Sequence, residues 1–225
     1  HTLVFASQPH SLLGFRGLIF TPASGEFPED GESAFGYRNI KVPHTFIKWS
    51  DKTTENHLFF GSLVLLPKLD ITGIITLAPG SHGNDGTDTY KDFALFAHIH
   101  LIEEKKRLPS FMLGIHDFYS YSYYNALFLS SSKLFELNPS IQINTHLVYG
   151  VDWMDQHYGD TGPDRDYQVN HYLVGLFGGM EVFYRHYGSF IIEYDTHQIN
   201  FGMRLNLFNS CQITAVLLQM DTFSF

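Results

Sequence analysis

Cysteine is almost missing: Cys211 stands alone among 225 residues. That excludes an intrachain disulfide and any cysteine-rich metal site. Charge is scarce, at 16% of residues, against roughly 25% in ordinary soluble proteins. The net charge is −9 with His neutral, and no extended basic stretch stands out. Nucleic acid is excluded as a partner, because phosphate neutralisation needs Lys and Arg gathered on one face. Tryptophan is limited to 2 residues, yet Phe and Tyr reach 21 and 13. So many aromatics exclude a disordered chain. Long hydrophobic runs are also missing. The strongest, Leu63-Val64-Leu65-Leu66, stops at Pro67, whereas a helical span needs roughly 20 apolar residues. The other structure that can cross a membrane is a closed β-barrel. It leaves no long run, because lipid-facing and lumen-facing residues alternate. A mean hydropathy of −0.08 fits a barrel and a soluble protein alike, so periodicity has to decide. The chain opens at His1 with no basic region or signal core, which reads as a mature N-terminus after processing.

What is present is strict alternation. From Ile141 to Trp153 one face carries Ile141, Ile143, Thr145, Leu147, Tyr149 and Val151, and the other Gln142, Asn144 and His146. From Gln198 to Leu207 the faces are Ile199, Phe201, Met203, Leu205 and Leu207 against Asn200, Gly202, Arg204 and Asn206. From Asp92 to Ile102, Phe93, Leu95, Ala97, Ile99 and Leu101 oppose His98 and His100. Period two of this length specifies β-strands. Eleven strands can be read, at 33–41, 57–66, 69–78, 92–102, 109–118, 124–135, 141–153, 172–184, 190–197, 199–208 and 211–222. Most exceed the roughly 5–6 residues of globular strands and match the about 9–11 that cross a bilayer.

The connections alternate long and short: 42–56 then 67–68, 79–91 then 103–108, 119–123 then 136–140, and 154–171 then 185–189. Outer-membrane barrels have this asymmetry. Their strand number is even, so a twelfth strand is expected, either in Gly17 to Pro22 or by division of one segment. With eleven strands the C-terminus falls on the long-loop side, which leaves its side open. The expected fold is therefore all-β, an antiparallel transmembrane barrel of about 12 strands. Residues 1–16 form an N-terminal segment and 17–225 a single barrel.

Charged and polar residues inside strands should face the lumen, since Arg or Lys facing lipid at mid-depth costs roughly 2–4 kcal/mol. His98, His100, Lys133, Asn144, His146, Glu181, Glu193 and Arg204 are the lumen-facing candidates. His98 and His100 also have a spacing that could serve a metal with a third ligand; lumen polarity is the plainer reading. Asp160, Asp164 and Asp166 offer oxygens for Ca²⁺. They lack the order and the final Glu of a calcium-binding helix–loop–helix, and an acidic external loop explains them as well. His116-Asp117 with a serine such as Ser120 would suit a hydrolase, although adjacent strand residues point to opposite faces. Tyrosines near strand ends, including Tyr124, Tyr184 and Tyr187, suit an interfacial girdle.

An ordered set of short matches adds a resemblance. Gly17-Leu18-Ile19-Phe20-Thr21-Pro22-Ala23-Ser24 is followed by Glu29-Asp30-Gly31 and Phe35-Gly36-Tyr37. Further on come Tyr90-Lys91-Asp92, Leu113-Gly114-Ile115-His116-Asp117-Phe118, Phe177-Gly178-Gly179-Met180-Glu181 and Asn200-Phe201-Gly202. Over about residues 14–210 this resembles the YjbH-like outer-membrane proteins of bacteria. The resemblance implies an outer-membrane barrel associated with exopolysaccharide or capsule export, or an accessory subunit of a larger outer-membrane complex. It implies no catalytic residues and no cofactor. The expected partners are outer-membrane lipid, other envelope proteins and polysaccharide. A barrel hydrolase using His116 and Asp117, and a soluble β-sandwich binder, are the alternatives.

Overall fold

A computed structural model describes residues 9–25, 29–41, 45, 54–66, 68–82, 88–118, 124–151, 173–196, 198–207, 211–218 and 222–224. The alternating segments become β1 (Ser33–Lys41), β2 (Glu55–Leu66), β3 (Leu69–His82), β4 (Asp88–Ile102), β5 (Ser110–His116) and β6 (Ala126–Asn138). They continue as β7 (Ile141–Val151), β8 (Gly175–Tyr184), β9 (Gly188–Tyr194), β10 (Ile199–Leu207), β11 (Cys211–Leu218) and β12 (Thr222–Ser224). All belong to one sheet in sequence order, each strand hydrogen-bonded to the next. The described pairs are antiparallel. A sandwich would need two sheets packed face to face; the described strands form one. The sheet curls until Cα atoms of β1 come within 8 Å of β12.

The twelfth strand lies largely beyond the expected 211–222 strand: β11 ends at Leu218 and β12 takes Thr222–Ser224, with Leu217 opposite Phe223. β12 therefore runs back toward the end where β1 begins. Gly17 to Pro22 is not a strand of the wall. Its Leu18 N–H donates to Thr21 O at 2.9 Å, and Ala23 N–H to Arg16 O at 3.0 Å. A tight reversal thus satisfies its own main chain, and one isolated bridge joins Gly17 to Pro22. The expected 79–91 loop also shortens, because Ala78 pairs with Tyr90 and Pro79 with Thr89. Ladder hydrogen bonds need no apolar side chains, so pairing outlasts the hydrophobic alternation.

Two cross-strand rows show how the sheet is built. Ile99, Leu113, Leu129, Tyr149 and Leu176 lie side by side across β4 to β8, and all five are exposed. Ser110, Ser132, His146, Gly179, Glu193 and Asn200 lie side by side across β5 to β10. Apart from half-buried Gly179, this second row is buried. The outer surface is apolar and a large part of the inner surface polar. That is the reverse of a protein folded in water, which hides its apolar face.

Residues 9–25 lie inside the curl. Leu12, Leu13, Phe15, Leu18 and Ile19 join one buried cluster with Phe96, Phe128 and Ile191 of the wall. Two glycines permit the close approach. Gly14 has φ +84, in the region that favours glycine, and a Cβ there would overlap the Phe60 ring. A Cβ on Gly179 would fall 2.6 Å from Leu18 Cδ1 and 2.5 Å from Ile192 O.

Candidate functional site

The interior wall grips the enclosed segment through its main chain. Glu193, inward-facing on β9, accepts from three consecutive N–H groups. Ile19 N donates to Oε2 at 3.0 Å, Phe20 N to Oε1 at 2.9 Å, and Thr21 N to Oε2 at 2.9 Å. Arg204, inward-facing on β10, donates from one terminal nitrogen to Gly17 O at 2.6 Å, Leu18 O at 2.8 Å and His10 O at 3.2 Å. Its other terminal nitrogen reaches both carboxylate oxygens of Glu181 at 2.8 Å, and Ser189 Oγ donates to that same carboxylate. A buried guanidinium and a buried carboxylate are tolerated because each is paired and hydrogen-bonded.

Serines hold the end of the segment. Ser130 Oγ donates to Pro22 O at 2.7 Å, and Ser24 N–H to Ser132 Oγ at 2.9 Å. Ser132 Oγ also meets His146 Nδ1 at 2.7 Å.

A second cluster spans β3, β4 and β5. Asp70 Oδ1 lies 2.6 Å from His98 Nδ1, and Oδ2 lies 3.0 Å from His100 Nε2. His98 Nε2 lies 2.7 Å from His116 Nε2. A carboxylate only accepts, so His98 Nδ1 and His100 Nε2 carry the donated protons. In the neutral tautomer His98 Nε2 is then an acceptor, and His116 Nε2 donates to it. The chain of bonds has one direction, ending on Asp70. His116 is enclosed by rings: Phe96 stacks on it at 4.0 Å, with Phe128 at 4.8 Å and Phe15 at 4.9 Å.

These positions bear directly on the residues singled out from sequence. His98, His100, His146, Glu181, Glu193 and Arg204 are buried inside the sheet. Asn144 faces the same way, opposite Glu181. Lys133 does not. It alternates in phase with the exposed Leu129 and Phe135, and its ammonium meets Glu104 at 2.7 Å and Lys105 O at 2.7 Å. Its long stem carries the charge to the polar turn region, so facing outward costs little there. His116 points inward and ends its strand. Asp117 then turns away at φ +51, its N–H bonded to Leu95 O at 2.8 Å. Ser120, Asp160, Asp164 and Asp166 lie outside the described residues. His98 and His100 converge on Asp70, and no group of three or more His, Cys, Asp or Glu side chains that could hold a metal ion arises among the described residues. Tyr124 is an interior residue bonded to Thr76 Oγ1 at 3.1 Å, while Tyr184 and Tyr187 are exposed.

Asp70 is one of the site residues absent from the candidates drawn from sequence. Its signal was parity: Asp70, Thr72 and Thr76 share one face of β3 and are all buried.

His10 shows what the interior does to an ionisable group of the enclosed segment. It stacks on Phe60 at 5.8 Å and lies 3.3 Å from Ser62 Oγ. Burial, then the positive charges of Arg16, Arg38 and Arg204, lower its pKa from 6.5 to about 3. Between those values the unfolded chain holds the extra proton, so stability falls as pH drops from 6.5 toward 3 and falls no further below that. His10→Phe is expected to reduce that acid sensitivity. Urea midpoints at pH 7 and pH 4.5, compared between the two chains, should converge in the variant; equal shifts in both would refute the assignment.

A family profile named YjbH, described as exopolysaccharide biosynthesis protein YbjH, matches residues 10–224. Neither the curated proteins nor the solved structures contain a match. The matched span covers the enclosed segment and the twelve strands together, and the chain is therefore a member of the YjbH family of exopolysaccharide biosynthesis proteins.

Proposed function

We propose that this chain is a non-enzymatic β-barrel of the bacterial outer membrane. It acts in exopolysaccharide export as a component of a larger envelope assembly. The observation that carries the reading is the inverted polarity of the sheet. A continuous row of Ile99, Leu113, Leu129, Tyr149 and Leu176 faces outward. In water such a surface would aggregate or bind another apolar surface; in a bilayer it is the required outer face of a barrel. The buried ion pairs and histidines are likewise suited to a lumen rather than to lipid. Family membership supports the polysaccharide role. His116 supports a structural role, since its ring is enclosed by aromatic side chains and its Nε2 is committed to His98.

Envelope fractionation tests the location. The protein should remain in the outer-membrane fraction after a urea wash, and migrate differently in unheated and boiled gel samples. Recovery from the aqueous supernatant without detergent would overturn the barrel reading. Deleting the gene should reduce surface polysaccharide, and a detergent pull-down should recover envelope proteins in fixed ratio. Unchanged polysaccharide would overturn the export role, and a clean monomer the assembly.

A further inference from the structure

Eight strands make a barrel that side chains alone can fill, and sixteen or more leave an aqueous channel. Twelve lie between, so this interior has room for more than its own wall. Residues 9–25 take that room. The wall binds them by main chain: Glu193 holds three N–H groups, Arg204 three carbonyls, and Ser130 and Ser132 one group each. The seal is apolar, with Leu12, Leu13, Phe15, Leu18 and Ile19 all buried. Behind the segment the wall is polar over the row Ser110, Ser132, His146, Glu193 and Asn200.

We propose that residues 9–25 are a plug, and that their displacement from Glu193 and Arg204 opens a water-lined pore for ions and small hydrophilic solutes. The inference rests on the membrane-spanning barrel proposed above. Two features favour a plug over a static core. The strand ladder runs unbroken from β1 to β12 without the segment, since each wall strand pairs only with other wall strands among the described residues. The polar anchors concentrate on the neighbouring strands β9 and β10, so a few substitutions can release them.

The test is current across planar lipid bilayers holding the full chain. The unsubstituted protein should insert and stay closed. Glu193→Ala, which removes the acceptor of three segment amides, should show discrete current steps. Phe15→Ala, which leaves every strand residue in place, is run beside it and should do the same. A third chain adds Ser24→Cys and Ser132→Cys to Glu193→Ala, with Cys211→Ser to remove the native thiol. The hydroxyl oxygens at these two positions lie 2.9 Å apart. Its disulfide should keep the pore shut until a reductant is added. Variants that are vesicle-bound and heat-modifiable, yet closed like the unsubstituted chain, overturn the plug and leave the barrel standing. Steps of equal size with the disulfide intact or reduced also overturn it. Protein that never floats with vesicles overturns the membrane reading, and the plug with it.

Discussion

Replacing Arg204 by Met is expected to lower the unfolding free energy by about 3–5 kcal/mol, the usual cost of breaking a buried ion pair from one side. The loss has two parts. Glu181, buried against the guanidinium at 2.8 Å, keeps a charge with no counter-charge. The carbonyls of His10, Gly17 and Leu18 lose their shared donor. Met matches the apolar stem of Arg, so little of the effect comes from lost packing. Adding Glu181→Leu to Arg204→Met should restore part of the stability, because an apolar replacement of both partners is often tolerated. Urea titration in phospholipid vesicles, read by the mobility of unheated samples, measures both chains. If the double variant is no more stable than the single one, the uncompensated charge is not the cause.

The second large effect is expected at Asp70. Its carboxylate accepts from His98 and His100 at 2.6 and 3.0 Å, with no more than slight exposure. In Asp70→Asn, one imidazole N–H faces an amide NH₂ instead of an oxygen. Hydrogen bonds to charged groups contribute about 1.5–3 kcal/mol each, so a loss on the order of 3 kcal/mol is expected. The bond from His116 to His98 at 2.7 Å ties a third residue into the network. Asp70→Asn and His116→Phe should therefore be non-additive, with a coupling of about 0.5–3 kcal/mol by a double-mutant cycle. Simple additivity would show that His116 does not act through the carboxylate.

The two sites were unequally legible beforehand. Glu181, Glu193 and Arg204 stand out because ionisable residues interrupt alternating strands and fall on the face opposite the apolar one. Lys133 also interrupts a strand, but in phase with Leu129 and Phe135. It sits near a turn, where a four-carbon stem lets the ammonium reach Glu104 from the outer side. Asp70 lies next to Leu69 at the start of its strand, and its parity with Thr72 and Thr76 marks it only as inward-facing. Only the register places it opposite His98. Adjacent in sequence, His116 and Asp117 are expected on opposite faces of a strand, and the backbone separates them: one ends the strand inward, the other turns at φ +51.

The strands themselves were local information. Period two sets which residues share a face, and that periodicity survives in the chain before any folding occurs. So the all-β class, the meander of long strands and the division into apolar and polar faces follow from sequence alone. The enclosed segment was not local information. Leu12, Phe15, Leu18 and Ile19 are spaced as on one face of a helix, yet no helix forms there: Gly14 turns the chain at φ +84, and the segment fits a cavity and not a surface. Their amides and carbonyls are met by Glu193 and Arg204, some 170 to 190 residues away along the chain. Such contacts exist only once the sheet has curled, so tertiary structure alone decides that the interior is filled, and by what.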